Sequence, residues 1–169
     1  MALLCACGEG WDEWFEGEEE EGQLVERGAT DSCASGLFWE GEEGSSLMHP
    51  GQNCIACHAD DPEGEAPAFQ VAGTVMNGFD EEDDCAGAEG VTVEITGADG
   101  EVNTLVTNRA GNFFVHESDG IAITLPYTAR VLVGDAVREM ATPQSDLNCM
   151  SCHTREGAGG APGRIVKPE

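Results

Sequence analysis

Basic side chains are scarce: 7 Lys and Arg stand against 33 Asp and Glu, a formal charge of -26 at neutral pH. A surface this negative repels phosphate backbones and anionic lipid headgroups, so nucleic acid is excluded as a partner. Long apolar runs are missing too. No stretch approaches the ~20 residues that a membrane-spanning helix needs, and none is expected. Aromatic residues make up only 6%, whereas Gly, 23 of 169 residues, is at about twice its usual share. Turns are therefore plentiful, large core-filling side chains are few, and something besides the chain is expected to fill part of the core. The length suits one ordinary domain with tails.

Composition divides the chain into stretches. Residues 1–7 (MALLCAC) are small and apolar but lack the basic start and longer apolar centre of a complete export signal, and read as the remnant of one. Leu4-Cys5-Ala6-Cys7 resembles a bacterial lipobox, which implies cleavage before Cys7 and acylation of its thiol, a lipid anchor rather than a spanning helix. Residues 8–46 form an acidic, irregular tether, with Glu18 to Glu21 unbroken and Arg27 the only basic residue. Trp11, Trp14, Phe15, Phe38 and Trp39 interrupt it, either to dock on a folded surface or as sporadic apolar residues. Residues 47–66 and 142–169 each hold one chemical motif, and residues 67–141 lie between them.

In that middle section the period is two. Phe69 to Met76 reads as a strand, and Val91, Val93 and Ile95 alternate with polar residues as a half-buried one. Asp99-Gly100 is a turn signal, and Val102 to Thr107 returns as the partner. Asn112 to His116, Ile121 to Thr124, Thr128 to Val133 and Val137 to Met140 complete roughly seven short strands with turns every 8–12 residues, the spacing of an antiparallel β-sandwich of immunoglobulin type. With its GTV, GVTVEIT and TNRAGNFFV segments, the section resembles the carboxypeptidase regulatory-like (transthyretin-like) β-sandwich modules, which are commonly non-catalytic.

Cys54-Ile55-Ala56-Cys57-His58 and Cys149-Met150-Ser151-Cys152-His153 are two C-x-x-C-H pentads flanking that section. The spacing suits covalent haem c. Two thiols three residues apart on a tight turn reach the two vinyl groups of one porphyrin, and the adjoining imidazole ligates the iron. Two covalently attached haems are expected, bound by Cys54, Cys57, Cys149 and Cys152, with His58 and His153 as proximal ligands. A zinc site built from both C-x-x-C pairs would have to draw them together from either side of the sandwich and would leave the repeated histidine unexplained. A redox dithiol is the other alternative.

Only four histidines occur: His49, His58, His116 and His153. With two spent as proximal ligands, His49 and His116 remain, one for each iron, and bis-histidine ligation uses all four. Pro50 biases His49 toward an extended backbone, and the five residues from His49 to Cys54 span up to about 17 Å, enough to reach either haem or a neighbouring molecule. Met48 and Met140 compete as sulfur ligands; Met76 is also present, and Met150 lies inside a pentad, badly placed for the far face. If Cys5 is removed and Cys7 acylated, Cys33 and Cys85 are left as a pair, and a disulfide closing their ~50-residue loop would contribute roughly 3–5 kcal/mol. The acidic run Asp80 to Asp84 lacks the spaced ligands of a defined calcium loop and reads as solvated.

At the pentads the chain resembles multihaem c-type cytochromes, including extracellular ones of metal-respiring and biofilm bacteria, some of which polymerise with haems in contact between subunits. The resemblance implies an exported bacterial protein, at the outer membrane surface or extracellular, that carries electrons between redox partner proteins or to an extracellular acceptor, with a homopolymer as one form. No catalytic residue is expected, since both axial positions are filled. A small dihaem peroxidase, with one open iron, and a surface interaction module with structural haems are the alternatives.

Overall fold

The structure, a computed structural model, describes residues 24–26, 37–39, 46–47, 49–61, 64–82 and 86–169. Cys5, Cys7, Cys33, Cys85, Met48 and the end of the acidic run at Asp83 and Asp84 lie outside them, and with them the lipobox and the proposed disulfide. Within the acidic tether, strands β1 (Leu24–Glu26) and β2 (Leu37–Trp39) pair antiparallel, so Phe38 and Trp39 belong to a short ladder rather than to extended chain.

The body of the protein is two sheets with very little helix, a β-sandwich as the alternation predicts. One sheet has four strands in the order β5 (Val102–Val106), β4 (Thr92–Thr96), β7 (Thr128–Val133) and β8 (Ala136–Glu139), all antiparallel. The other has three, in the order β6 (Asn112–His116), β3 (Phe69–Met76) and β9 (Ile165–Val166). Alternation does the sorting: Val93 and Ile95 of β4 are buried while Thr92, Glu94 and Thr96 are half-exposed. Val71, Val75, Phe113, Val115 and Val131 meet them between the sheets. At about 25 cal/mol per Å² of apolar surface, this is the main stabilising term available to a chain with few aromatics.

β3 is the organising strand. Residues 71–76 are buried in sequence, because both of its faces are covered. The four-stranded sheet covers one. On the other, the Gly51 amide donates to Thr74 Oγ1 at 2.9 Å, and Thr74 Oγ1 donates in turn to Asn112 Oδ1 at 2.7 Å. A polar pair buried at 1% and 5% exposure is thereby satisfied.

Three expectations need correction. Ile121 to Thr124 is not a strand; Ile123 is buried, but the Thr124 carbonyl accepts from the Ala98 amide of the β4–β5 turn, so the segment straps a turn instead of joining a ladder. β9, in the Gly- and Pro-rich tail, runs parallel to β3, so the smaller sheet is mixed. Finally, His49 is not extended. Its φ of 43° is in the left-handed region, within a turn closed by the Gln52 amide bonding the His49 carbonyl at 3.2 Å.

Candidate functional site

The first pentad forms helix α1 (Cys54–Ala59), a six-residue turn and a half. Asn53 starts it: its Oδ1 accepts from the Ala56 amide at 3.1 Å, and its carbonyl accepts from Cys57 at 3.0 Å. In helical geometry positions three and four apart share a face, so Cys54, Cys57 and His58 are presented together. His58 Nδ1 lies 2.9 Å from the carbonyl oxygen of Pro67. A carbonyl only accepts, so Nδ1 carries the proton, and the neutral ring offers the Nε2 lone pair.

The second pentad forms a 3-10 turn over Cys149–Ser151, continued by the His153 amide bonding the Cys149 carbonyl at 3.0 Å. Ser151 Oγ donates to Asp146 Oδ2 and contacts the Asn148 carbonyl, and Asp146 Oδ1 accepts from the Asn148 amide at 2.9 Å. His153 Nδ1 lies 2.8 Å from the Gly163 carbonyl, repeating the arrangement at His58. Among the described residues, Nε2 of neither pentad histidine has a hydrogen-bond partner. This is the state in which histidine ligates a metal: one nitrogen donating to a backbone carbonyl, the other open. All four pentad cysteines are thiols. Burial pushes the Cys149 thiol up to about 12, against a smaller downward pull from the Tyr127 hydroxyl.

The pentads do not sit at opposite ends of the sandwich. α1 packs on β3, and Asn148 bridges to Ala72 of the same strand, in line with the edge position that β9 takes further along. The side chains of Asn53 and Asn148 are hydrogen bonded, so the two turns lie side by side. The separation held against a shared zinc site is therefore not present. Even so, no group of three or more His, Cys, Asp or Glu able to hold a metal ion occurs among the described residues.

The remaining two histidines fall in different places. His116 is the cross-strand partner of Phe69, with ring centroids 5.0 Å apart, and the His58 ring lies 4.5 Å from the same Phe69 ring. Phe114 completes the group, 5.1 Å from Phe69 and edge-on to His116 at 80°. His58 and His116 are thus drawn to one aromatic cluster. His49 belongs to the turn leading into α1 and lines no part of the cavity beside the second pentad.

That cavity, about 480 Å3, lies between the sheets and is lined by Cys149, Cys152 and His153, by Val93, Ile95 and Phe113 from the core, and by Met140. Its size is that of a small-molecule or cofactor pocket. Arg130, Arg138 and Arg164 also line it, three of the 7 basic residues of a strongly acidic chain. Arg138 lies over the Phe79 ring at 5.1 Å, and Arg164, 5% exposed, donates to the Glu81 carbonyl.

Sequence reading missed Asn53, Asn148, Phe69 and the arginines. A signal for the first two was present: an asparagine precedes both pentads. No helix among the described residues is long and apolar enough to cross a membrane. In comparisons with known proteins, no family model, no curated protein and no solved structure matches the chain.

Proposed function

We propose that the chain is an exported c-type cytochrome that holds two covalent haems and transfers electrons. The observation that carries this reading is the duplicated pentad in which Nδ1 of each histidine is spent on a backbone carbonyl, at Pro67 for His58 and at Gly163 for His153. Dithiol redox chemistry gives no reason for that histidine arrangement to recur.

The residues fit the group. Cys54 with Cys57, and Cys149 with Cys152, supply two thiols each, and the cavity between the sheets supplies apolar walls for one planar ring. Arg138 brings positive charge to the carboxylates that a porphyrin carries, whereas Arg130 is paired with Glu94 at 2.5 Å and Arg164 donates to the Glu81 carbonyl. On the first pentad, His58 and His116 converge on Phe69, which supports His116 as the second imidazole there. Haem bound in this way supplies a one-electron iron couple. What the chain contributes is fixed tautomers, desolvated walls and two attachment turns held next to each other by Asn53 and Asn148. Electrons enter and leave through redox partner proteins or an extracellular acceptor. The charge of -26 favours a basic partner, and a homopolymer with haems in contact between subunits is part of the proposal.

The test is the native exported protein. It should be red, give a c-type pyridine haemochrome, and carry the mass of two porphyrins. The pair C54A/C57A should remove one porphyrin, and C149A/C152A the other. A colourless protein of unmodified mass would overturn the reading.

A further inference from the structure

We propose that Met140 is the axial partner of His153 across the second site, so that the two haems are ligated differently, by two imidazoles at the first and by imidazole and thioether at the second. The inference rests on the dihaem reading above and deepens it.

Three observations converge. His153 is the one histidine among the described residues that lines the cavity beside Cys149 and Cys152, so no second imidazole reaches that space. Among the described residues Met140 is the one methionine that does: Met76 and Met150, 1% and 6% exposed, are packed elsewhere and contribute nothing to its wall. The two residues also come from segments attached to different sheets. His153 belongs to the segment held against β3 and tied to Gly163 just before β9, whereas Met140 directly follows β8 of the four-stranded sheet. A planar group entering between the sheets from Cys149 and Cys152 would therefore have His153 on one wall and Met140 on the other.

Local structure holds Met140 for this role. Its amide bonds the Ala129 carbonyl at 2.9 Å, fixing the backbone at the end of the β7–β8 hairpin, and its side chain is half-buried against the core. Methionine is unbranched, so its sulfur can swing over several ångströms once the backbone is pinned. The rival donors are engaged or unsuited. Tyr127 donates its hydroxyl to the Asp146 carbonyl at 2.8 Å, and Glu139 and Asp146 are exposed carboxylates, hard donors that suit low-spin haem iron poorly. Thioether ligation raises the potential relative to bis-imidazole, so the second haem is the more oxidising of an adjacent pair, and electrons arriving at the first run downhill to the second.

The experiment uses the haem-loaded exported protein. In the ferric state it should show the sulfur-to-iron charge-transfer absorption, and potentiometry should resolve two couples. In M140A, with both porphyrins still present by mass, that absorption should be lost and one iron should bind carbon monoxide or cyanide. In M140H the absorption should be lost and only the higher couple should shift down. M150L, altering a methionine within the pentad, should keep the band. A protein with two porphyrins that lacks the absorption, or keeps it in M140A, overturns the inference, and needs no variant to fold in the first case. Ready carbon monoxide binding by the unaltered protein overturns it in favour of an open, peroxidase-like site. Absence of porphyrin overturns the dihaem reading itself, and the mass spectrum separates that failure from the others.

Discussion

Asn148 Nδ2 donates to Asn53 Oδ1 at 2.9 Å, joining the residue that opens α1 to the residue that opens the Cys149–Ser151 turn, 95 positions later in the chain. Asn53 Oδ1 is also the acceptor for the Ala56 amide, so one oxygen both caps the first pentad and docks the second. Removing either asparagine disturbs both turns. N148A should cost about 0.5–2 kcal/mol in denaturant unfolding. N148D should cost more, since it sets a carboxylate against an acceptor oxygen. A double-mutant cycle with N53A should show coupling of about 0.5–1.5 kcal/mol, and additive losses would mean that the two turns are positioned independently.

Close approach of the second pentad depends on Gly73. A Cβ there would lie 2.7 Å from Phe113 Cζ and 3.2 Å from Cys149 Cβ, inside the core and against the attachment turn. G73A should therefore destabilise by about 1–3 kcal/mol and, under the proposed dihaem function, lower porphyrin occupancy at Cys149 and Cys152 while leaving Cys54 and Cys57 loaded. Gly78 is the control, with nothing within 4 Å of its Cβ position, so G78A should be close to neutral. Equal losses at the two positions, by thermal unfolding and mass spectrometry, would remove the packing explanation.

How much of this was legible in the sequence follows from how local each signal is. β3, β6 and β7 are set by short runs of apolar and β-branched residues between turn signals, and their predicted bounds match the strands. The pentads are legible because C-x-x-C-H is a contiguous five-residue pattern that occurs twice. Ile121 to Thr124 alternates as well, yet its Thr124 is taken by the β4–β5 turn, a contact that no local pattern announces. β9 is two residues long and draws its pairing from β3, about ninety positions away. The adjacency of the pentads is likewise a product of long-range pairing with β3, so the sequence suggested flanking positions where the fold provides neighbouring ones.

Asp99 links that strap to pH. Its carboxylate accepts from the Thr124 hydroxyl and from the Glu101 amide, the second at 3.0 Å, and these bonds, the Thr124 one foremost, hold it below its ordinary value of 3.8. A depressed acid contributes stability that is present above its unfolded pKa and lost as pH falls through the folded one. T124V should bring the Asp99 titration, followed by carboxyl NMR, back up toward 3.8. It should also flatten the decline of stability below pH 4. An Asp99 titration unchanged in T124V would show that the amide bond alone sets it.

Cys149 gives the opposite sign at the other end of the scale. Enclosure beside the cavity holds its thiol at about 12, from an ordinary 9.0, with Asp146 and Cys54 adding to the rise. In porphyrin-free protein the folded state therefore keeps a proton that the unfolded state releases, so its contribution to stability is intact below pH 9 and is lost as pH climbs toward 12. Tyr127 is pushed up as well, mainly by burial, and adds to the decline above pH 10. Unfolding free energy of the porphyrin-free chain should fall across that window, and C149S should remove the part that begins near pH 9. At pH 8, iodoacetamide should label Cys149 far more slowly in the folded chain than in urea, with peptide mapping to read the ratio. Rapid labelling of Cys149 in the folded state would mean that its thiol meets water, and the dry wall assigned to the second site would have to be withdrawn.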